Sequence, residues 1–229
     1  MNLLDMFFKG GFVMWLILLA SILGLAVIID RFIVLRKARI NVPAFMVRIR
    51  GFIKKRDISG AISYCMEEKS PISNIVRKGL MKYRFGHDRV KDAIENAGSQ
   101  EIIKLEKGLN VLATVAGVAP LLGFLGTVTG MISAFMTVQE LQGAVGPSDL
   151  AGGIWEALIT TAYGLIVGIP ALAIYNYFLG NVKKLVGEME TVANDVVDVI
   201  QDGKESEKED EEIEFNEADS ELPDDANEI

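Results

Sequence analysis

Cysteine and histidine occur once each in the 229 residues, as Cys65 and His87. A single cysteine closes no disulfide within the chain, and its neighbours Tyr64, Met66, Glu67 and Glu68 supply no metal-ligand cluster. It reads as a half-buried structural thiol. His87 lies between Gly86 and Asp88 in a sequence that reads as a turn, and one histidine falls short of the three or four ligands a metal site takes. No serine–histidine or cysteine–histidine pairing and no Walker A loop with its lysine is present, so the residues give neither an enzyme nor ATP-driven chemistry any support. No metal and no cofactor is expected. Charge is the last scarcity, and it is local. Gly10 to Ile29, Leu109 to Val138 and Ala157 to Val182 carry almost none.

Each of those blocks reaches the ~20 apolar residues that a helix needs to cross a bilayer. Lipid offers the backbone no hydrogen-bond partner, so such spans must be helices. The first block is long for a signal-peptide core, and its basic flank (Arg31, Arg36, Lys37, Arg39) follows it, so it reads as a retained span. Of the 23 basic residues, 18 fall between Arg31 and Lys107, and none lies between Gln139 and Gly153. Basic residues stay on the cytoplasmic side. That rule predicts an external N-terminus and a cytoplasmic C-terminus.

The expected organisation is a short periplasmic stub (1–9), span one (10–29), a cytoplasmic helical segment (30–108) and span two (109–138). A short periplasmic loop (139–153), span three (154–182), a cytoplasmic helical extension (183–202) and an acidic tail (203–229) follow. Within 30–108, Pro43 opens one helix, a second follows Asp57, Ser70 with Pro71 starts a third, and Asp88 reads as the N-cap of a fourth. Nothing in the pattern clearly stops that last helix before span two, so it is expected to run unbroken into the membrane. After span three, Val182, Val186, Met189, Ala193, Val196 and Ile200 step by four and three, a seam that needs a partner helix. Residues 188–229 hold 18 of the 31 acidic residues behind the net charge of −8, and from Gly203 on the composition predicts disorder.

Span two contains Gly126 and Gly130 in a GxxxG pair, with Pro120 upstream; small residues at this spacing let helices approach closely in lipid. Thr127, Thr129, Ser133 and Thr137 place several hydroxyls on that one span. They can bond back to their own helix or line a wet interior. In span three, Glu156 is the only acidic or basic side chain between Ala151 and Val182, next to Trp155, an interfacial anchor by type. A carboxylate in or near the bilayer faces a bundle interior, a pore or a partner, or else sits solvated at the interface. Thr160 and Gly164 follow it at one-turn spacing, and Pro170 lies further in.

Two stretches resemble a known family. Pro120 to Phe135, with its Gly-Thr-Val-x-Gly core at Gly126 to Gly130, is similar to the second-span signature of the MotA/TolQ/ExbB proton-channel family; Gly153 to Pro170, with Glu156, Ala157, Leu158, Thr161, Ala162, Gly164 and Leu165, resembles its third-span signature. The resemblance implies an all-α, three-span membrane protein with long cytoplasmic helical extensions, in a ring of five subunits. Their central pore would hold the helices of a single-span partner pair (ExbD or TolR), and the movement would pass to TonB or TolA. It further implies that Thr127 and Thr161 line the proton pathway near an aspartate of the partner, with Glu156 near the outer end and Thr160 an additional hydroxyl. The short stub is more like TolQ than many ExbB proteins; three spans rather than four argue against the flagellar MotA branch.

The implied function is a proton-channel or stator subunit of an energy transducer driven by the proton-motive force, in the bacterial inner membrane. The competing reading is a non-conducting oligomeric scaffold that recruits partners through its cytoplasmic region.

Overall fold

The computed structural model describes residues 7–142 and 146–220, with side chains described as far as Gly203. The described residues are helical almost throughout, in α1 (Gly11–Ala38), α2 (Val42–Lys54), α3 (Ile58–Glu68), α4 (Pro71–Leu80), α5 (His87–Glu106), α6 (Leu109–Glu140) and α7 (Pro147–Ser220), with a 3₁₀ turn at Tyr83–Phe85. Three helical stretches are long and apolar enough to cross a membrane: Gly11–Ala38, His87–Glu140 and Pro147–Gly203. The chain falls into two compact units. One comprises Met1–Lys37 with Leu105–Lys183, the other Ala38–Lys104 with Lys184–Ile229.

The first unit holds the apolar spans. Its helices are wide open on the outside: Phe12, Leu19, Leu25, Leu121, Phe124, Phe135, Leu158 and Ile166 are all exposed. An apolar exterior is what lipid or other membrane helices would cover. Inside, α6 and α7 run antiparallel with their backbones nearly touching. A Cβ placed on Gly130 would lie 2.7 Å from both the Ala157 nitrogen and the Gly153 oxygen, and one on Gly164 would lie 2.6 Å from the Ala119 oxygen. Gly153 and Gly168 repeat the pattern towards either end, the latter against the ring of Pro120. Both helices continue through their prolines, Pro120 and Pro170.

The helix does not run unbroken from α5 into α6 as the pattern predicts. Gly108 stands between them with φ +84, a left-handed conformation open to glycine, and its carbonyl accepts the first α6 bond from the Leu112 amide. Just before the break, the buried Arg31 guanidinium reaches from α1 to the Leu105 carbonyl at 3.4 Å. That carbonyl is one of the orphan acceptors at the α5 C-terminus, where a cation is favoured.

The second unit is packed by large side chains. Phe45, Ile49, Ile53, Ile72, Ile75, Val76, Leu80, Val90 and Ile94 are buried, and the Phe45 and Tyr64 rings stack with centroids 5.6 Å apart. Its helix starts follow local chemistry. Asp57 caps α3 through the Gly60 amide at 2.8 Å. Ser70 and Ser73 exchange backbone bonds in a capping box, with Pro71 in the first turn. Asp88 was expected to cap α5, but the helix begins one residue earlier at His87, where the Gly86 carbonyl accepts from Val90; Asp88 lies in the first turn instead.

α7 extends beyond the third apolar block at both ends. α7 starts at Pro147, with Asp149 accepting the Gly146 amide at 2.8 Å, so helix begins well before the apolar block. At its far end α7 continues past Gly203 to Ser220, where the composition predicted disorder, while 221–229 lie outside the described residues. Extending an existing helix needs no new nucleus, and glutamate and lysine are strong helix formers. The seam after span three is buried at Val182, Leu185, Met189, Val192, Val196 and Ile200; Val186 and Ala193 instead line a groove with Ile75, Ile94 and Ile102.

Candidate functional site

The hydroxyls of the membrane unit sort into two kinds. Thr129 donates to the Gly126 carbonyl at 3.1 Å, and Thr137 to the Ser133 carbonyl at 3.1 Å. Thr160, fully buried, donates to the carbonyls of Glu156 (2.8 Å) and Ala157 (3.0 Å). Each of these is spent on its own helix, the usual fate of a threonine in a helix interior.

Thr127 and Thr161 differ. Their hydroxyls hydrogen-bond to each other across the α6–α7 contact. Both also reach the Gly123 carbonyl, Thr161 at 2.9 Å and Thr127 at 3.3 Å. The close approach follows from glycine: a Cβ on Gly123 would lie 3.0 Å from the Thr161 Cα. Two hydroxyls bring two protons to these three contacts. One contact therefore lacks a proton at any moment, and each hydroxyl oxygen keeps at least one free lone pair. Such a pair can accept from a carboxylic acid as it stands. Donating to a carboxylate requires one of the internal bonds to let go.

Thr160 is adjacent in sequence but faces elsewhere. A Cβ on Gly126 would collide with its Oγ1, so this threonine fills the notch that Gly126 leaves. The structure thus brings together Thr127 and Thr161, and separates Thr160 from them as packing. Gly126, Gly130 and Gly164 lie in the same helix contact, Pro120 packs against Gly168, and Pro170 is exposed.

Glu156 is half-exposed, one turn from Thr160 on the side of the α1 start. Its carboxylate lies directly over Gly11, where a Cβ would collide with Oε1 and come within 3.1 Å of Cδ. Beside it, the Lys9 ammonium stands 5.9 Å above the Trp155 ring. Reasoning from sequence missed Gly11, Gly153 and Gly168, and the sharing of the Gly123 carbonyl. The spacing Gly153, Ala157, Thr160, Gly164, Gly168 was the available signal for the packing face.

Among the described residues no group of three or more His, Cys, Asp or Glu side chains is placed to hold a metal. Cys65 is buried in the second unit, and burial pushes its thiol up to about 12, with the Arg77 charge pulling the other way.

Three apolar helices, two of them locked backbone to backbone around a shared carbonyl, define a polytopic helical membrane protein with a polar pair inside its tightest helix contact. Residues 67–191 match the model of the MotA/TolQ/ExbB proton channel family, and the chain belongs to that family. It is 30% identical over 192 residues to a protein of Methanothermobacter thermautotrophicus described as an ExbB homolog in biopolymer transport, covering 83% of this chain and 68% of that one. It is 28% identical to the biopolymer transport protein ExbB of Neisseria meningitidis serogroup A, over 79% of this chain and 87% of the relative. Against the Tol-Pal system protein TolQ of Pseudomonas aeruginosa the identity is 30%, over 80% and 84%.

Proposed function

We propose that this chain is the multi-span, proton-conducting subunit of an energy transducer of the TonB–ExbB–ExbD or Tol–Pal type, working in the bacterial inner membrane. Its N-terminus faces the periplasm and its C-terminus the cytoplasm, in keeping with the 18 basic residues between Arg31 and Lys107. Five copies form a ring around a single-span ExbD- or TolR-like partner pair, and the motion passes to a TonB- or TolA-like protein.

The observation that carries this reading is the Thr127–Thr161 pair. In lipid a conducting path needs groups that serve a carboxyl in both protonation states without bearing charge themselves, and hydroxyls do so. Here two from different helices converge on one carbonyl while the remaining hydroxyl of that turn, Thr160, is turned away. A partner carboxylic acid would donate to the free lone pair. Once ionised, it would draw a hydroxyl proton away from Gly123. Glu156 lies nearer the outer end of the same helix.

The test is proton flux into proteoliposomes holding this protein with its single-span partner. Flux is expected to need both subunits and to fall in Thr161→Val, which keeps the side-chain shape and removes the hydroxyl. Full flux in Thr161→Val, from a complex shown to be assembled, overturns the pore assignment.

A further inference from the structure

At the start of α1 the chain meets α7 through backbone. Gly11 has φ +65, and the Glu156 carboxylate occupies the space where any other residue would carry its Cβ. One residue before it, a Cβ on Gly10 would lie 3.4 Å from Ile159, one turn along α7 from Glu156. Two residues before it, Lys9 stands over Trp155, the immediate neighbour of Glu156. Behind this start the helix is anchored from inside, because Met14 and Ile17 are each 1% exposed. Three successive residues of the chain entering α1 thus face Trp155, Glu156 and Ile159.

A long, flexible carboxylate side chain at the edge of a bilayer has several places to go, and solvent is one of them. Here it lies across α1. The missing side chain of Gly11 makes that path open, and the left-handed backbone is one that glycine adopts without strain. We infer that Gly11 is a positioning residue for Glu156: it forms a seat that holds the carboxylate over the start of the first span. Lys9 on Trp155 closes the seat from the side by a cation–π contact. This rests on the reading of Glu156 as part of the conducting unit. The seat itself is a matter of geometry and can be tested apart from conduction.

The first measurement is covalent. In a Cys65→Ala background, Gly11→Cys with Glu156→Cys is oxidised in native membranes, and the chain is cut at a protease site built into the turn at 55–57. A seat brings the two positions within disulfide range, so the fragment bearing α1 stays joined to the fragment bearing α7 until reductant is added. Separation of the fragments without reductant overturns the seat, whatever the protein conducts.

The second measurement is functional, on complexes confirmed as assembled with the single-span partner. Gly11→Ala places a methyl under the carboxylate and is expected to lower proton flux to the level of Glu156→Gln. Glu156→Asp withdraws the carboxylate by one methylene, so Gly11→Ala with Glu156→Asp is expected to conduct better than Gly11→Ala alone. Backbone strain at position 11 is the same in both proteins, so only an effect exerted through the carboxylate produces that rescue. A disulfide that forms while Gly11→Ala conducts normally overturns the positioning role and leaves the seat as packing. Equal loss in the single and double variants overturns it as well.

Discussion

The two units of this chain are held together by opposite means. In the membrane unit the closest contacts are between backbones: Gly130 on Ala157, Gly153 on Ala134, Gly164 on Ala119. In the second unit they are between large side chains, with Phe45, Ile49, Ile72 and Ile75 at 0–2% exposure. The difference follows from the surroundings. Water rewards burial of apolar surface, so bulk is an asset wherever it can be hidden. Lipid tails are as apolar as leucine, and helices gain by meeting each other only where small residues allow closer contact than lipid would make. The same contrast decides where polar groups can stand. The second unit buries one carboxylate, Glu101, against Asn74 and Lys104, and spends Ser70 and Ser73 on a helix cap. The membrane unit can afford the Thr127–Thr161 pair only because Gly123 brings a carbonyl within reach of both.

The sharpest way to break the membrane side of this comparison is Gly130→Val. With backbone atoms 2.7 Å from the added Cβ, the helices must separate, at a cost of more than about 3 kcal/mol. The expected outcome is loss of the assembled protein in a detergent-stability assay. Gly117→Ala, where nothing lies within 4 Å, leaves the assay unchanged. On the other side, Ile49→Ala removes a side chain with no exposure and should destabilise the second unit by about 3 kcal/mol, read as a lower urea midpoint for its unfolding. An Ile49 variant that unfolds at the wild-type midpoint would contradict side-chain packing as the organising principle there.

These contrasts also mark what could be read from the chain before its structure. The three apolar helices and the Ser70 cap were legible because their causes are local: a run of uncharged residues, or Ser70 beside Pro71. The break at Gly108 was not, since the glycine takes its left-handed conformation in a joint where Arg31, 77 residues earlier, lies close by. Residue type does not separate Thr160 from Thr161; in sequence only the resemblance to the family's third-span signature favours Thr161. They point some 100° apart on the helix, and only the rotation of α7 against Gly126 and Gly123 tells which is packing and which is paired. Gly11 and Glu156 are separated by most of the protein, so no local pattern could join them.

The smallest effect sharpens the comparison by using Cys65 as a reporter. Its buried thiol is held at about 12, above an ordinary value near 9, so the unfolded chain ionises first. The stabilising preference for the neutral thiol is complete below about pH 9 and is lost as pH rises towards 12, with a slope of about 1.4 kcal/mol per pH unit. Alkylation of the folded protein should therefore climb steadily between pH 8 and pH 11 without levelling near 9. The alkaline loss of stability should be shallower in Cys65→Ala. A plateau near pH 9 would mean that the thiol is open to solvent.

Gly108 and α7 carry the chain onward in opposite ways. Gly108 interrupts the helix between α5 and α6 with a left-handed backbone, a single residue whose dihedrals swing at little cost, whereas α7 runs unbroken from Pro147 to Ser220. An unbroken helix resists torsion, since every turn is clamped to the next by hydrogen bonds. α7 is therefore a rod in the mechanical sense: a twist imposed on one turn is handed to the next, while a glycine joint would absorb it as a swivel.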